Sequence, residues 1–277
     1  MLSMLKLLSI ILLVSNTLLA DTTNEKLEEF LVDKFEENDR IKSVEVKVQE
    51  SVPLKDLKGW SGYIVEVEAY LKENPSKQVK QRMIWFSNGQ MITKELVDME
   101  SGRPLVDLVK PKFQNKFYKK ENLIYGNENA KHKVVLFSDP LCPFCKGYIP
   151  GAIQDMKKDP KKFAIYYYHL PLERIHPAST QIVKMATAAE LQGVKDVTLK
   201  MYDIKVNPRE ADVKKILEAF NKAVGTNLSE KDINDIKVLR HVNNDFDTAN
   251  ELMVAGTPTV YLDGKIDESK KGYKTAK

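Results

Sequence analysis

The stretch that most constrains this chain is Phe137-Ser138-Asp139-Pro140-Leu141-Cys142-Pro143-Phe144-Cys145, which holds both of its cysteines two positions apart. The apolar run Val134 to Phe137 before it reads as a short buried strand, and Gly147 to Lys157 after it can form a helix that Pro150-Gly151 makes irregular. Strand, turn and helix together put Cys142 at a helix N-terminus, with Pro143 in the first helical position, where its missing N–H costs nothing. Unpaired N–H groups and the positive dipole end favour an anion there, so the Cys142 thiolate is expected to be stabilised. Cys145 falls one turn further in, close enough to close a disulfide with Cys142 and eject a substrate thiol. The pattern therefore points to redox chemistry.

Two other uses of such a pair have weaker grounds. A disulfide across two residues closes a very small loop and removes little unfolded-state entropy, so stability alone is a weak reason for it. Zinc would need two further ligands, and His132, His169, His176 and His241 are scattered without a second close-spaced pair. No metal and no cofactor beyond a redox-active Cys142–Cys145 disulfide is expected.

Residues 1–20 read as a cleavable signal peptide: Lys6 supplies a positive start, Leu7 to Val14 an apolar core, and Ala20 an acceptable residue before a cut. The apolar run is too short to span a membrane comfortably. An exported protein can keep a reactive cysteine pair in the disulfide form. With 43% hydrophobic and 30% charged residues, the remainder suits a globular protein, and its length suggests two domains. A net charge of +4 is too small to argue for nucleic acid.

Residues 21–100 form the first expected domain. Leu27, Phe30, Leu31 and Phe35 recur at helical spacing in an acidic segment. Val44, Val46 and Val48 alternate with polar residues, as do Tyr63, Val65, Val67 and Ala69. Val79 to Phe86, then Ser87-Asn88-Gly89-Gln90, then Met91-Ile92 reads as strand, Asn-Gly turn, strand. One helix on a small antiparallel sheet leaves an edge or face for a partner, so homodimer pairing is expected. Residues 101–125 read as a basic linker helix beginning at Pro111, with Phe113 and Phe117 on one face.

The catalytic domain is expected over 126–277. Phe163 to Leu170 is a second strand candidate, Pro177 to Val254 is mostly helical, and Gly256-Thr257-Pro258-Thr259 opens a last strand and an Asp263-Gly264 turn. A proline directly before β-branched Thr259 suggests a cis peptide bond in a tight loop.

A strand, Cys-Pro-Phe-Cys at a helix start, a helical insertion and a Gly-Thr-Pro-Thr loop together resemble the thioredoxin superfamily. With leader, small first domain and linker, the chain looks like the DsbC/DsbG branch of periplasmic thiol–disulfide exchange proteins. The resemblance implies an α+β, cystatin-like N-terminal dimerisation domain, a linker helix and an α/β thioredoxin-like catalytic domain with a helical insertion. It further implies that Cys142 and Cys145 are catalytic, that Thr257 and Pro258 bind substrate backbone, and that Pro143 and Phe144 tune the redox pair. The implied partners are unfolded or misfolded exported proteins and a membrane redox partner that recycles the cysteines.

The sequence also departs from the pattern. Thr257 before the proline resembles the isomerases, whereas Cys-Pro-Phe-Cys has the proline of DsbA-like oxidases with Phe144 in place of their histidine. A pair less oxidising than theirs is expected. Many thioredoxins place an acid where this chain has Leu136, and nearby Asp139 reads as a cap for the turn rather than a proton carrier. Oxidoreductase/isomerase is the leading expectation. A DsbA-like disulfide donor, a dedicated reductant and a non-enzymatic holdase are the alternatives.

Overall fold

The computed structural model describes residues 23–277, so the signal peptide expected over 1–20 lies outside the described residues. The chain divides into two compact units between Pro111 and Lys112. No helix among the described residues is long and apolar enough to cross a membrane.

In the first unit, a helix over 23–36 (α1) accompanies a four-stranded antiparallel sheet in chain order: β1 (Ile41–Pro53), β2 (Ser61–Leu71), β3 (Asn74–Ser87) and β4 (Ile92–Thr93). The two-residue period decides which side chains go inside. Tyr63, Val65 and Val67 of β2, Val46 of β1 and Trp85 of β3 share a core with Leu27 and Leu31 of α1. Burying each large apolar side chain stabilises by about 1.5–3 kcal/mol. Phe30, expected on the inner face of the helix, is 48% exposed instead. Helical spacing gives it an angular position, but the face buried against the sheet is that of Leu27 and Leu31, with Val32 and Phe35 packed beside them. The Asn88-Gly89 turn forms as expected, with the Asn88 carboxamide oxygen accepting from Gln90 N and Met91 N and Gly89 at φ 87°. Edge strand β1 carries two bulges, and its Val48 N–H donates to Glu28 of α1 at 2.7 Å. A short helix, α2 (Val106–Val109), closes the unit, with Val109 occupying the space that a side chain on Gly62 would take.

The linker helix expected over 101–125 does not form. Lys110 is extended (φ −49°, ψ 140°), as a residue before proline must be, so α2 stops at Val109. Beyond Pro111 the chain makes only two 3-10 turns, Asn115–Phe117 and Lys120–Asn122, and then β5 (Leu123–Tyr125). Phe113 and Phe117 do share a surface, but that surface is the core of the second unit. Phe113 packs on Tyr261 with ring centres 5.0 Å apart, and Phe117 is 3% exposed. Burial of two aromatic rings outweighs the helical preference of a lysine-rich segment.

The second unit is built on a five-stranded sheet of order β5-β7-β6-β8-β9. Its strands after β5 are β6 (His132–Ser138), β7 (Phe163–His169), β8 (Thr259–Leu262) and β9 (Lys265–Ile266). β6 and β7 run parallel and β8 is antiparallel to β6. The crossover from β6 to β7 is α3 (Pro143–Lys157), and the stretch from β7 to β8 is helical: α4 (Pro177–Leu191), α5 (Val197–Lys200), α6 (Val213–Val224), α7 (Glu230–Ile233) and α8 (Ile236–Glu251). Both faces of β6 are covered, which is why its sequence is an unbroken apolar run. Val134 and Leu136 face the core shared with α3, α4 and α6, while Val135 and Phe137 face the one shared with Phe117 and Leu252. The tail ends in a one-turn helix, α9 (Gly272–Thr275), anchored by buried Tyr273.

One glycine is indispensable here. Gly126 leaves β5 at φ +79°, and a Cβ there would lie 2.0 Å from the Phe163 carbonyl oxygen. Gly126→Ala should therefore cost about 2–4 kcal/mol through left-handed strain and overpacking. Chemical denaturation checks this, and a change under about 1 kcal/mol would contradict it.

Candidate active site

The register of β6 against its neighbours assembles the site. Phe137 pairs with Thr259 of β8, so Thr257-Pro258, just before that strand, lies beside the chain where it leaves β6 at Ser138. The Thr257–Pro258 peptide bond is cis. Ser138 pairs with His169 at the end of β7, which brings the loop after β7 to the same edge. The carboxyl ends of β6 and β7 and the amino end of β8 converge there.

Between β6 and α3 the chain turns through Asp139-Pro140-Leu141. Cys142 is the N-cap of α3, with extended backbone, and Pro143 occupies the first turn, as the sequence implied. Helical phase then separates the two thiols in depth. Cys142 is 4% exposed and Cys145 is fully buried beneath it. Both thiols are free, and Cys142 Sγ donates to the Thr257 carbonyl oxygen at 3.6 Å. Burial pushes the Cys145 thiol up and the Cys142 charge adds to the rise, while the polar groups of Ser138, Thr257 and the Asp139 backbone oppose it.

Around the outer thiol, Phe144 is 78% exposed. It lines, with Tyr148, Thr257, Pro258 and the loop Ser269–Lys271, a groove of about 420 Å³. Cys142, Phe144, Thr257 and Pro258 are thus brought to one place, and Cys145 lies directly behind them. Pro143 contributes through the helix start.

Asp139 does more than the sequence indicated. It is fully buried. One carboxylate oxygen accepts from Leu141 N at 2.7 Å, Cys142 N at 3.2 Å and Ser179 Oγ at 2.6 Å. The other takes Leu172 N at 2.8 Å and lies 3.0 Å from His176 Nδ1. The expected cap is present, but the same side chain also clamps the loop after β7 and the start of α4 to the cysteine turn. His176 and Ser179 carry no local motif, because nothing in sequence links them to a residue some forty positions earlier.

A family model described as thioredoxin matches residues 119–277, more than half of the chain. This chain belongs to the thioredoxin family. The matched span begins before the 126 expected for the catalytic domain and takes in the β5 strand. Among curated proteins it is 27% identical over 148 residues to Na(+)/H(+) antiporter NhaA 1 of Mycolicibacterium gilvum, covering 51% of this chain and 23% of that protein. It is also 27% identical over 146 residues to Na(+)/H(+) antiporter NhaA 3 of Salinispora tropica, covering 51% of the chain and 22% of the relative. The chain therefore spans less than a quarter of the length of these relatives. Among solved structures, BdbD from Bacillus subtilis (oxidised) is 15% identical, with a TM-score of 0.46 over 60% of this chain and 91% of that one. The catalytic domain of Proteus mirabilis ScsC is 16% identical, with a TM-score of 0.42 over 57% and 90%.

Within this thioredoxin-family unit, no group of three or more metal-ligating side chains occurs among the described residues. The position under the cysteines that many family members give to an acid is Leu136, fully buried in apolar surroundings. At the end of β6 lies instead a line of buried hydroxyls: Ser138 Oγ, 2.6 Å from Tyr202 Oη, which is 2.7 Å from Tyr167 Oη. Sequence reading missed all three, since a serine and two tyrosines in different elements make no pattern until the fold brings them together.

Proposed function

We propose that this chain is a thiol–disulfide exchange enzyme for exported proteins, an oxidoreductase/isomerase of the DsbC/DsbG kind. The observation that carries the reading is the pairing of depth and contact at the cysteines. Cys142 stands at a helix start against the Thr257 carbonyl with a small exposed area, and Cys145 is fully buried one turn further in.

The chemistry follows from that order. The Cys142 thiolate attacks one sulfur of a substrate disulfide; that S–S bond breaks, a Cys142–substrate S–S bond forms, and the displaced sulfur leaves as a thiolate that takes a proton from water. In isomerisation another substrate thiolate attacks the substrate sulfur of the mixed disulfide and returns Cys142 as thiolate, with no net electron transfer. In reduction Cys145 attacks Cys142 Sγ; the internal disulfide forms, and two electrons pass from the cysteine pair to the substrate. A membrane redox partner then resets the pair. Exposed Phe144 and the groove beside the Thr257-Pro258 loop offer apolar contact suited to unfolded chain segments. In this reading the first unit is a cystatin-like dimerisation domain, the open β1 edge of its sheet the element available for pairing, and the protein works as a periplasmic homodimer.

The test is the reduction potential of the pair, by equilibration in glutathione buffers. With Phe144 where an imidazolium would favour the thiolate, the expected value lies between about −230 and −150 mV. A value near −120 mV would make the protein a disulfide donor, and one near −270 mV a dedicated reductant, on the scale of known oxidoreductases. A pair that resists reduction below about −300 mV would be structural and end the enzyme reading.

A further inference from the structure

The groove beside the Thr257-Pro258 loop is lined by two unlike sets of side chains. Phe144 and Tyr148, four positions apart on α3, share one helical face and make its aromatic part. Beyond Thr257 and Pro258 the rest of the lining is Ser269, Lys270 and Lys271, so every charged residue on the groove is a cation. The loop that carries the two lysines is held by its own hydrogen bonds. Asp267 Oδ1 accepts from Ser269 Oγ at 2.6 Å, and Oδ2 accepts from Gly272 N at 2.8 Å. The Ser269 hydroxyl accepts in turn from Lys271 N at 3.0 Å, and the Asp267 carbonyl takes Lys270 N at 3.0 Å. Just beyond the loop, buried Tyr273 of α9 donates to Asp155 Oδ2 of α3 at 3.4 Å, which ties this segment to the helix that carries the cysteines. Lys270 is half-buried and held at φ +56°, and Lys271 is exposed. Neither lysine forms an ion pair among the described residues. The acid within the loop, Asp267, spends both carboxylate oxygens on the loop's own donors, and Glu268 does not line the groove.

Two unpaired cations on adjacent residues repel each other, and a carboxylate placed beside them relieves that repulsion. Thr257 belongs both to this lining and to the contact with Cys142 Sγ, so a chain segment in the groove runs alongside the attacking thiol. We propose that Lys270 and Lys271 select substrates by charge, and that the groove takes an extended polypeptide segment whose disulfide cysteine is flanked by an acidic side chain. This rests on the exchange reading above and names the substrate class for the same site. Selection is a difference of affinities, so the same two lysines that attract an acidic flank repel a basic one. One exposed ion pair changes an equilibrium by up to about fivefold, so two lysines acting with opposite sign on acidic and basic flanks separate the two by about tenfold. Phe144 and Tyr148 add apolar contact that is blind to charge. Lys270 and Lys271 are specificity residues in this scheme: they meet the flank of the substrate cysteine and not the reacting sulfurs.

The experiment reduces three synthetic peptide disulfides with the reduced full chain. Each is a pair of identical short peptides joined by one disulfide, with the cysteine flanked on both sides by Glu, by Gln or by Lys. Every second-order rate is divided by that of mercaptoethanol, a small neutral thiol, with the same peptide, which removes the intrinsic reactivity of each disulfide. At low salt the Glu peptide should then be preferred over the Lys peptide by about tenfold. In 1 M salt, where screening acts within about 3 Å, the preference should fall below about threefold. The double variant Lys270→Gln, Lys271→Gln should slow the Glu peptide and speed the Lys peptide, each by about threefold, whereas Lys270→Arg with Lys271→Arg should keep the preference. Opposite signs are the decisive readout, because damage to the fold or to Cys142 would move all three peptides the same way. A Glu-to-Lys preference under about twofold in the unmodified chain would overturn the proposal. So would a preference that survives the double glutamine variant, or a change of one sign for all three peptides. Failure of the unmodified chain to reduce any of the three would overturn the exchange reading itself, and this inference with it.

Discussion

Cys142→Ser should reduce exchange with a disulfide-bonded peptide by roughly a thousandfold or more, because a serine hydroxyl supplies almost no anionic nucleophile at neutral pH. Cys145→Ser should behave differently in kind. Cys142 remains available to attack, but nothing stands behind it to release the product, so mixed disulfides accumulate and appear as a mass increase equal to one substrate chain. Depth is the reason for the asymmetry: Cys142 lies at the helix start against Thr257, a residue that lines the groove, while Cys145 is fully buried in the first turn of α3. The variants should also differ in stability. Serine at 145 buries a hydroxyl in a fully enclosed place, at a cost of about 1–2 kcal/mol. The paired measurement is peptide reduction followed by fluorescence, with intact mass of the protein at each time point. Equal and mild losses in both variants, with no trapped adduct, would sink the exchange mechanism.

How much of this was readable beforehand depends on how far apart in sequence the cooperating residues are. The cysteine turn was legible because strand, N-cap cysteine, helix-start proline and second cysteine are contiguous, and local rules for helix starts apply. The cis bond at Thr257–Pro258 and the strand after it followed from proline preceding a β-branched run. The 112–125 segment was misread for the opposite reason. Its charge pattern describes a solvated helix, yet Phe113, Phe117 and Tyr118 are claimed by a core containing Tyr166 and Tyr261, over forty residues away. The hydroxyl line at the end of β6 and the partners of Asp139 were invisible for the same reason. Ser138, Tyr167 and Tyr202 sit in three elements, and only the β6–β7 register and the return of the helical insertion bring them within hydrogen-bond reach.

Asp139→Ala should be the most destabilising change at the site, by about 3–5 kcal/mol, because it removes one partner from a buried, hydrogen-bonded polar cluster. The groups left behind are specific. Leu141 N and Leu172 N lose their 2.7 and 2.8 Å acceptor, the Ser179 hydroxyl loses its 2.6 Å acceptor, and His176 Nδ1 is left facing an empty pocket. With the carboxylate fully enclosed, water cannot take its place without opening the structure. Asp139→Asn keeps one acceptor oxygen but turns an NH2 toward groups that are themselves donors, so it should cost less, about 1–3 kcal/mol. Ser179→Ala removes a single donor and should cost about 1 kcal/mol. The order alanine at 139, then asparagine at 139, then Ser179→Ala is therefore the signature of a carboxylate hub, and urea denaturation of the three variants reads it directly. Because Asp139 holds the turn that carries Cys142 N, the first of these should also blur the difference between the outer and the buried thiol, seen as alkylation of both cysteines at similar rates. Denaturation midpoints for Asp139→Ala within about 1 kcal/mol of the unmodified chain would mean that the turn is held by Pro140 and Pro143 alone, and the hub would then have no structural role.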